Sequence, residues 1–549
     1  MRFISINFNK FFIFIVAVVV TLLSFFSINR IFLLDSDVVN CYFEALDMAE
    51  GNIFLQGWHL PPDSFWLIDV AGMSALVRLL GPDVNIPFIL SAFWFAATVG
   101  FSVLLSIKSS EQWDWRRALP VILFMGFIPL FLRTSVSYVV YAPYHIGTSA
   151  ISLLGLIFAQ NIFSGKRYIL SSFGLFIVSL FIFSSDFFGF AVFLCPLLFV
   201  GLLCFFKGEL GRKSFYFIFV SVFCAWLFDR ILKYCIVQHG GFTSAKLSTS
   251  FVPLEKIPEK ALYTVKSLLD FYGADFFGSW GQVFVFGLRL IPLLIIIGFY
   301  KVKISTYAEA KKFFFECDPV CQVVIVGAVI DFCAGFFSNF GVEKSDIIRY
   351  FFPFFVYSII LYARNAPKIH TLAFLVPCIV SGFIVFGIWR VWGNQEIRFV
   401  DIFHLGHQID TREVNYFLLQ HNLQYGYAGY WDASVTTVNS AGHQTVRALK
   451  NLKLFDEKHN EKPANECTFA PYLWLSKESW YHRSEFSGGK SIFFITHDGE
   501  DPNHAWIRHS DLVASLGEPN QHYVLHDGVG IDVYSRDKLD GCNGLFLED

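Results

Sequence analysis

The sequence predicts an α-helical polytopic membrane protein with a small α/β domain at its C-terminal end. Of the 549 residues, 55% are hydrophobic and 16% are charged, whereas soluble domains carry about 25% charged residues. The mean hydropathy is +0.52, and the 67 phenylalanines suit helices that insert into lipid. Long apolar runs fill the first 390 residues and become short beyond them. We therefore predict a transmembrane domain over 1–390 and an α/β domain over 391–549.

Eleven apolar runs are each predicted to form a transmembrane helix, because a helix needs about 20 apolar residues to cross a bilayer. Two of these runs meet at Asp186, which interrupts one long apolar stretch with a charge. The first run lacks the small-residue cleavage site of a signal peptide, so we expect it to be retained. The predicted spans lie near residues 11–33, 85–106, 118–133, 147–163, 169–185, 187–206, 216–236, 283–300, 320–338, 350–363 and 370–390.

Basic residues in the short connections predict how the helices are oriented. When successive spans are placed on alternating sides, every connection on one side is basic. Short basic loops stay in the cytoplasm, so we expect the N-terminus to be cytoplasmic. The long segments 34–84, 237–282 and 391–549 then lie on the extracytoplasmic side. The basic residues are Arg2, Lys10, Lys108, Arg116, Arg117, Lys166, Arg167, Lys207, Arg212, Lys213, Lys301, Lys303, Lys311, Lys312, Arg364 and Lys368.

The C-terminal part of the chain has the alternating pattern of an extracytoplasmic α/β domain. The strand-like pieces “YGYAGYW”, “KSIFFITH” and “HYVLHDGVGIDVYS” alternate with the helical pieces “TREVNYFLLQHN” and “HSDLVASLG”. The sequence after “YGYAGYW” is also predicted to be rich in β-structure. Cys467 and Cys542 lie in this domain. The sequence leaves open whether they form a disulfide, which an oxidising compartment would permit.

The loop 34–84 is predicted to hold two helices at the boundary between water and lipid. Asp37 is placed as the acidic N-cap of the first helix, and Gly51 and Asn52 are placed at its end. The apolar positions of this helix suit a segment that lies on the membrane surface. The following “GWHLPPDSFWLIDVAGMSALVRLLG” supplies interfacial aromatic residues, a Pro-Pro turn and a second amphipathic helix.

Acidic, basic and imidazole side chains gather at the predicted extracytoplasmic ends of the spans. Asp35 and Asp37 follow the first span, His145 opens the fourth and Arg349 opens the tenth. Asp186 lies at membrane depth, where a carboxylate is costly and marks a candidate functional residue. Each residue alone also fits helix capping or snorkelling. Their location on one side of the membrane nevertheless predicts a common site.

The arrangement resembles the GT-C superfamily of polytopic glycosyltransferases, which take a sugar from a polyprenyl-phosphate carrier on the extracytoplasmic side. The resemblance rests on an acidic residue after the first span and an interfacial helix with Ala at the eighth position beyond it, here Asp37 to Ala45. The likeness implies a multi-pass protein of the bacterial inner (plasma) membrane. It extends to the motifs “GNIFLQGWHLPPDSFWLIDV”, “SSDFFGF”, “FYGADFFG”, “IIRYFFP” and “YGYAGYWDASVTTVNSAG”.

The resemblance implies a role for the acidic residues of the first loop. In the family, an acidic residue there acts as catalytic base or helps to hold a divalent metal, such as Mg²⁺ or Mn²⁺, near the phosphate. Many members carry an Asp-Glu pair, whereas this chain has Val38 after Asp37. That departure argues against the metal role more than against the base role. Asp37 is therefore the first candidate for the base, and Asp35 is the second.

The remaining candidates are assigned by the charge of the leaving group. A departing lipid phosphate needs Arg, Lys or a cation to balance its charge. Arg349 is the predicted ligand of the donor phosphate, with His145 or a metal assisting. Asp186 is predicted to be a second acid of the pocket, and Asp37 and Asp186 are the candidates for holding a metal. The sequence identifies no acceptor-binding residue.

The leading hypothesis is an inverting glycosyltransferase that moves a sugar from polyprenyl phosphate to a glycan, lipid or protein acceptor of the cell envelope. A transporter or flippase of a lipid-linked glycan is the alternative, although the sequence has no clear internal repeat. A non-catalytic membrane scaffold is a third reading. Membrane lipids are expected partners. Nucleic acid is not expected, because no basic run, zinc-type cysteine spacing or Gly-rich phosphate loop occurs.

Overall fold

The computed structural model of the chain contains a helical region followed by a C-terminal α/β region. We define the helical region as residues 2–365 and the α/β region as residues 411–547. The structure describes residues 2–26, 33–107, 117–126, 139–208, 210–246, 250–271, 290–339, 347–365, 407–408, 411–452, 467–485, 491–497, 506–525, 528–539, 542 and 545–547.

The helical region is built from helices joined by short turns and by the first loop. Three of them are extended or preceded by a π-helical turn, at Trp66–Val70, Ile122–Gly126 and Phe190–Leu194. The helices are α1 (Arg2–Phe26), α2 (Ser36–Ala49), α3 (Ala71–Leu80), α4 (Ile86–Ile107), α5 (Ala118–Val121), α6 (Ile146–Phe163), α7 (Tyr168–Ser185), α8 (Cys195–Phe206), α9 (Arg212–Gln238), α10 (Ile257–Phe271), α11 (Ile291–Lys303), α12 (Tyr307–Glu316), α13 (Pro319–Phe337), α14 (Ile347–Tyr350) and α15 (Phe352–Asn365).

Within the described residues, five helices are long and apolar enough to cross a membrane: α4, α6, α7, α9 and α13. Two shorter apolar helices, Phe11–Leu23 and Phe190–Phe206, coincide with two more of the predicted spans. The five helices are fewer than the eleven spans predicted. The span predicted near 370–390 lies outside the described residues, and α15 covers the span near 350–363 with 14 residues. The structure is consistent with a multi-pass membrane protein.

The long helices pack side by side and leave apolar side chains on the outer surface. α4 contacts α1 and α6, and α7 contacts α6 and α9. A Cβ added at Gly155 would lie 2.5 Å from the ring of Phe193, so this glycine allows a close approach. Exposed apolar surface of this extent is typical of a face that meets lipid. The exposed side chains of α9 include Phe219, Phe223, Trp226, Leu227 and Phe228.

The first loop forms the two predicted helices, but the N-cap of the first is different. α2 begins at Ser36, and the Asp35 carboxylate accepts a hydrogen bond of 2.9 Å from the backbone N–H of Val38. The prediction of Asp37 as the N-cap is therefore wrong, because Asp35 has the extended backbone that a cap requires. Asp37 lies in the first turn, where the helix dipole favours a negative charge. The second helix comprises Trp66–Val70 and α3.

The α/β region is built around a mixed sheet. The described strands of the chain are β1 (Leu33–Leu34), β2 (Trp58–Leu60), β3 (Thr243–Ser244), β4 (His407–Gln408), β5 (Tyr425–Ala428), β6 (Thr445–Asn451), β7 (Phe469–Pro471), β8 (Ser476–Lys477), β9 (Ser491–His497), β10 (Gln521–Val524) and β11 (Val529–Ser535). Six of these described strands form one sheet in the order β10-β11-β9-β5-β6-β7. The helices are α16 (Arg412–Gln420), α17 (Tyr430–Asn439), α18 (His509–Leu516) and α19 (Arg536–Leu539).

The segment “YGYAGYWDASVTTVNSAG” differs from its prediction as strand followed by β-rich sequence. β5 ends at Ala428, and α17 begins at Tyr430 after an extended Gly429. β5 and β6 are parallel neighbours, so a crossover connection must join them, and an α-helix is its usual form. β9, β10, β11, α16 and α18 lie where the sequence predicts them.

A disulfide joins Cys467 to Cys542, with a Cα–Cα distance of 5.2 Å. This finding decides a question that the sequence leaves open. The bond links the segment before β7 to the segment after α19, at a sequence separation of 75. It therefore closes the α/β region on itself.

The α/β region contacts the first loop directly. Ser36 donates a hydrogen bond of 2.6 Å to the carbonyl oxygen of Tyr430, at the start of α17. Lys477 forms an ion pair of 3.0 Å with Asp47 on α2. β8 also pairs with β2 of the first loop, which in turn pairs with β3. The α/β region is thereby held against α2.

Candidate active site

Asp35 and Asp37 lie side by side at the start of α2 and share a hydroxyl donor. Tyr144 donates a hydrogen bond of 2.7 Å to Asp35 Oδ2 and one of 3.3 Å to Asp37 Oδ2. Tyr430, from the α/β region, donates a hydrogen bond to Asp37 Oδ1. Asp35 also caps α2, whereas Asp37 lines a cavity beside it. Asp37 is thus the acid of this pair that a bound molecule would meet.

Asp35 has the electrostatic character of a proton acceptor that works near neutral pH. Burial and the adjacent Asp37 raise the pKa of Asp35 to about 7, against the lowering effects of Val38 N–H, the Tyr144 hydroxyl and Arg349. A carboxyl group that titrates near neutral pH can both accept and return a proton. Because Asp35 and Asp37 interact strongly, a proton taken up at this point belongs to the pair.

His145 and Asp186 form a second polar group at the ends of α6 and α7. His145 Nδ1 lies 2.7 Å from Asp186 Oδ2. Thr148 also donates a hydrogen bond to Asp186 Oδ2, and the backbone N–H of Phe188 lies 3.0 Å from Oδ1. Asp186 is fully buried and His145 is nearly so. Asp186 is therefore a paired carboxylate that orients His145 towards the cavity.

Asp63 of the first loop completes this second group. Ligand atoms of Asp63, His145 and Asp186 all lie within 4.8 Å of one another. Asp63 also accepts a hydrogen bond of 3.3 Å from the backbone N–H of Phe187. Burial and the nearby Asp186 raise the pKa of Asp63 to about 6, although His145, the Phe187 N–H and Arg349 lower it. Two acids and an imidazole thus converge on one point.

Arg349 supplies the positive charge of the site from α14. Its guanidinium carbon lies 5.3 Å from the ring centroid of Tyr144 and 5.0 Å from that of Tyr350. Its Nη2 donates a hydrogen bond of 3.2 Å to the Tyr350 hydroxyl. The same charge lowers the pKa of both Asp35 and Asp63. Arg349 therefore interacts electrostatically with the acids of both groups.

One cavity of about 620 Å³ joins these groups. Asp37, Asp63, His145 and Arg349 contribute its acidic, imidazole and guanidinium groups, and the rest of its wall is largely aromatic or aliphatic. A pocket with a few converging polar groups in apolar walls is the usual form of a small-molecule site. The walls come from the first loop, the segment after α7, the segment before α10, α13 and the α/β region, and include Phe65, Phe187, Phe188, Phe251, Phe337, Trp474 and Leu475.

A divalent cation fits the second acidic group better than the pair that the sequence suggests. The sequence proposes Asp37 and Asp186 as metal ligands, but the structure groups Asp186 with Asp63 and His145. Carboxylates suit Mg²⁺ and Mn²⁺, whereas imidazole suits later transition metals. Two carboxylates and one imidazole therefore favour Mn²⁺ or a later metal over Mg²⁺. Asp37 interacts instead with two tyrosine hydroxyls.

The structure brings the five predicted site residues to one place. Asp37, His145 and Arg349 line the cavity, and Asp35 and Asp186 are hydrogen-bonded to residues that line it.

Sequence reasoning missed Asp63, Tyr144, Tyr350 and Tyr430. Tyr144 and Tyr350 stand directly beside His145 and Arg349 in the chain, which is a usable signal. Tyr430 lies 393 residues from Asp37 and gives no such signal.

Comparison of the sequence with protein-family models and with curated proteins gives no match. The resemblance to GT-C glycosyltransferases is therefore still an expectation from the motifs.

Proposed function

We propose that the protein is an integral membrane glycosyltransferase that takes a sugar from a polyprenyl-phosphate donor and transfers it to an envelope acceptor. The observation that carries the proposal is the shared cavity, in which Asp37 and Arg349 face one space with largely apolar walls. An amphiphilic donor with an anionic phosphate needs both features. The proposed location is the bacterial inner membrane, with a cytoplasmic N-terminus and the cavity on the extracytoplasmic side.

The charged residues of the cavity suit the two ends of the bond that breaks, the donor phosphate and the anomeric carbon of the sugar. Arg349 would bind the donor phosphate, because guanidinium–phosphate hydrogen bonds are charge-assisted and strong. His145 lies in the same lining and would contact the phosphate or the sugar. The aromatic walls would receive the first isoprene units and the face of the sugar. This arrangement would hold the anomeric carbon between the phosphate ligand and the acids.

The proposed reaction is a single inverting displacement. The acceptor hydroxyl oxygen attacks the anomeric carbon, and Asp37 takes the hydroxyl proton. The bond between the anomeric carbon and the phosphate oxygen breaks, and polyprenyl phosphate leaves with the electron pair. Asp35, whose pKa is raised to about 7 by burial and by Asp37, would share the proton with Asp37. Tyr144 would hold both carboxylates in place through its two hydrogen bonds.

Asp63, His145 and Asp186 are the residues that would hold a divalent metal in this site. Such an ion would balance the negative charge on the leaving phosphate. Without reference to a metal, Asp186 fixes the orientation of His145 through their 2.7 Å hydrogen bond. The proposal therefore includes a dependence of activity on a divalent metal, which removal of divalent ions can test.

The experiment that tests the function is turnover of defined donors by purified full-length protein. The protein in liposomes is incubated with a panel of polyprenyl-phosphate sugars, and release of the lipid phosphate is followed together with sugar transfer to envelope lipid acceptors. The proposal expects at least one donor to be consumed with release of its carrier. Saturable binding of a donor without turnover would favour the transporter or the scaffold reading instead.

A further inference from the structure

A second cluster of metal-ligating side chains lies in the α/β region. His509 Nδ1 lies 2.8 Å from Asp532 Oδ2, and His522 Nδ1 lies 2.5 Å from Asp532 Oδ1. The two imidazole rings are 4.2 Å apart between centroids. Ligand atoms of the three residues lie within 4.8 Å of one another. The cluster brings together the start of α18, the strand β10 and the strand β11.

We propose that His509, His522 and Asp532 form a binding site for a divalent ion of the zinc class. Two imidazole nitrogens and one carboxylate oxygen are a ligand set that Zn²⁺ takes, with a fourth position left for water. Tetrahedral ligands at about 2.0–2.2 Å from the ion stand about 3.3 Å apart. The histidine nitrogens would move outward from Asp532 by about 0.5–0.8 Å to admit it.

The burial pattern of the cluster suits an ion that enters from solvent. The Asp532 side chain is 0% exposed, whereas those of His509 and His522 are 29% and 33% exposed. A buried carboxylate requires pairing or metal coordination to offset its lost hydration. Zn²⁺ would replace the protons between the two Nδ1 atoms and the Asp532 carboxylate, and each neutral imidazole would carry its proton on Nε2.

A buried hydroxyl beside the cluster is a second observation that points to a ligand. Thr496 Oγ1 is buried and has no hydrogen-bond partner among the described residues. An ideal Cβ at Gly530 would contact this hydroxyl and would lie 3.6 Å from His522 Cε1. The hydroxyl and the imidazole therefore flank the same glycine. In the proposed site, Thr496 would hydrogen-bond the water in the fourth position.

The bound ion would join α18 to strands β10 and β11, which form one end of the sheet. β10 is at the end of the sheet and pairs with β11, and edge strands need protection. The ion would hold the start of α18 against both strands. The proposal is independent of the cavity and of its function, because none of its residues belongs to the cavity lining.

The test is Zn²⁺ binding by chelator-stripped full-length protein in detergent. Competition with a chromophoric chelator should show that His509→Gln and His522→Gln each weaken one Zn²⁺ site by at least about 100-fold, since even outer-sphere changes cost about 10–100-fold. The matched control is His497→Gln, which removes a histidine that pairs with Asp432 at 2.9 Å in the same region. It should leave that site unchanged.

A spectroscopic measurement distinguishes this site from the Asp63–His145–Asp186 group. In the His145→Gln variant, whose Asp63–His145–Asp186 group lacks its imidazole, added Co²⁺ should still give the intense visible bands of tetrahedral coordination. Adding His522→Gln should abolish these bands. Wild-type Zn²⁺ affinity in both His509→Gln and His522→Gln, or no tetrahedral bands in His145→Gln, would overturn the proposal.

Discussion

The hydroxyl of Tyr430 donates a hydrogen bond to the carboxylate of Asp37, across 393 residues of sequence. Tyr430 begins α17 of the α/β region, and Asp37 lies in the first turn of α2. Ser36 strengthens the junction by donating to the Tyr430 carbonyl oxygen at 2.6 Å. The candidate catalytic acid is therefore positioned by the α/β region as well as by the helical region.

The Tyr430 contact predicts that the α/β region contributes to activity. Tyr430→Phe keeps the ring that packs against Trp431 and Tyr472 but removes the donor to Asp37. We expect a roughly 10-fold loss of kcat with little change in thermal stability, because one charge-assisted hydrogen bond is lost. Tyr416→Phe, at an exposed tyrosine of the same region, is the control. Equal activity in Tyr430→Phe and wild type would remove Tyr430 from the site.

Arg349 is predicted to bind the phosphate of the donor. Arg349→Ala should raise KM for the donor or lower kcat/KM by about 10- to 100-fold, in line with loss of a charge-assisted hydrogen bond. Arg349→Lys should recover only part of the loss, because Lys lacks the planar fork of Arg. Arg230→Ala removes an exposed arginine that lies over Trp226 on α9 and serves as the matched control. An unchanged kcat/KM in Arg349→Ala would exclude the assigned role.

The raised pKa values of Asp35 and Asp63 predict how stability depends on pH. Both acids bind a proton more tightly when folded, since burial raises their pKa from 3.8 to about 7 and about 6. Their contribution to stability is therefore fully present below pH 3.8 and is lost as pH rises towards 7. In the wild type, the thermal midpoint should fall as pH rises. Asp35→Asn should make this fall smaller between about pH 4 and pH 7, and Asp63→Asn should make it smaller between about pH 4 and pH 6. The measurement is a series of unfolding scans in detergent, and parallel curves for wild type and both variants would contradict the expectation.

The disulfide predicts a stability difference that is confined to the α/β region. Replacing Cys467 and Cys542 together by Ala should lower the free energy of unfolding by about 2–5 kcal/mol, because the bond constrains the unfolded chain over 75 residues. Cys224→Ala, at an exposed free cysteine of α9, is the control. Thermal unfolding followed by near-ultraviolet absorbance checks the difference. A double variant as stable as the control variant would contradict it.

The location of the site could be predicted from charged residues that lie within or beside long apolar segments. Asp35, Asp37, His145, Asp186 and Arg349 stand out because the surrounding sequence is apolar, and the structure brings them together. Which of these residues pair with one another inside the site could not be predicted, because helices that are apolar on all sides carry no periodic signal of which face meets which neighbour. Pairing of Asp186 with Asp63 is one consequence of such packing.

The remaining differences from the sequence prediction have local or long-range causes. Asp35 and Asp37 both suit an N-cap by residue type. The extended backbone conformation of Asp35 identifies it as the cap, and a sequence does not show this conformation. The Val and Thr residues of α17 favour β-structure as a local sequence, but the parallel pairing of β5 and β6 requires a crossover between them. The contact between Tyr430 and Asp37 depends on how the α/β region lies against α2, which no local pattern encodes.

The most direct test of the central claim is sugar transfer by the Asp37→Asn variant in liposomes. Asn keeps an oxygen that can accept the Tyr430 hydrogen bond, so the fold and donor binding should be retained while the base is lost. We expect transfer to fall by at least about 100-fold, whereas Asp83→Asn, at an exposed acid of the same loop, should keep wild-type transfer. Transfer by Asp37→Asn at the wild-type rate would contradict the account.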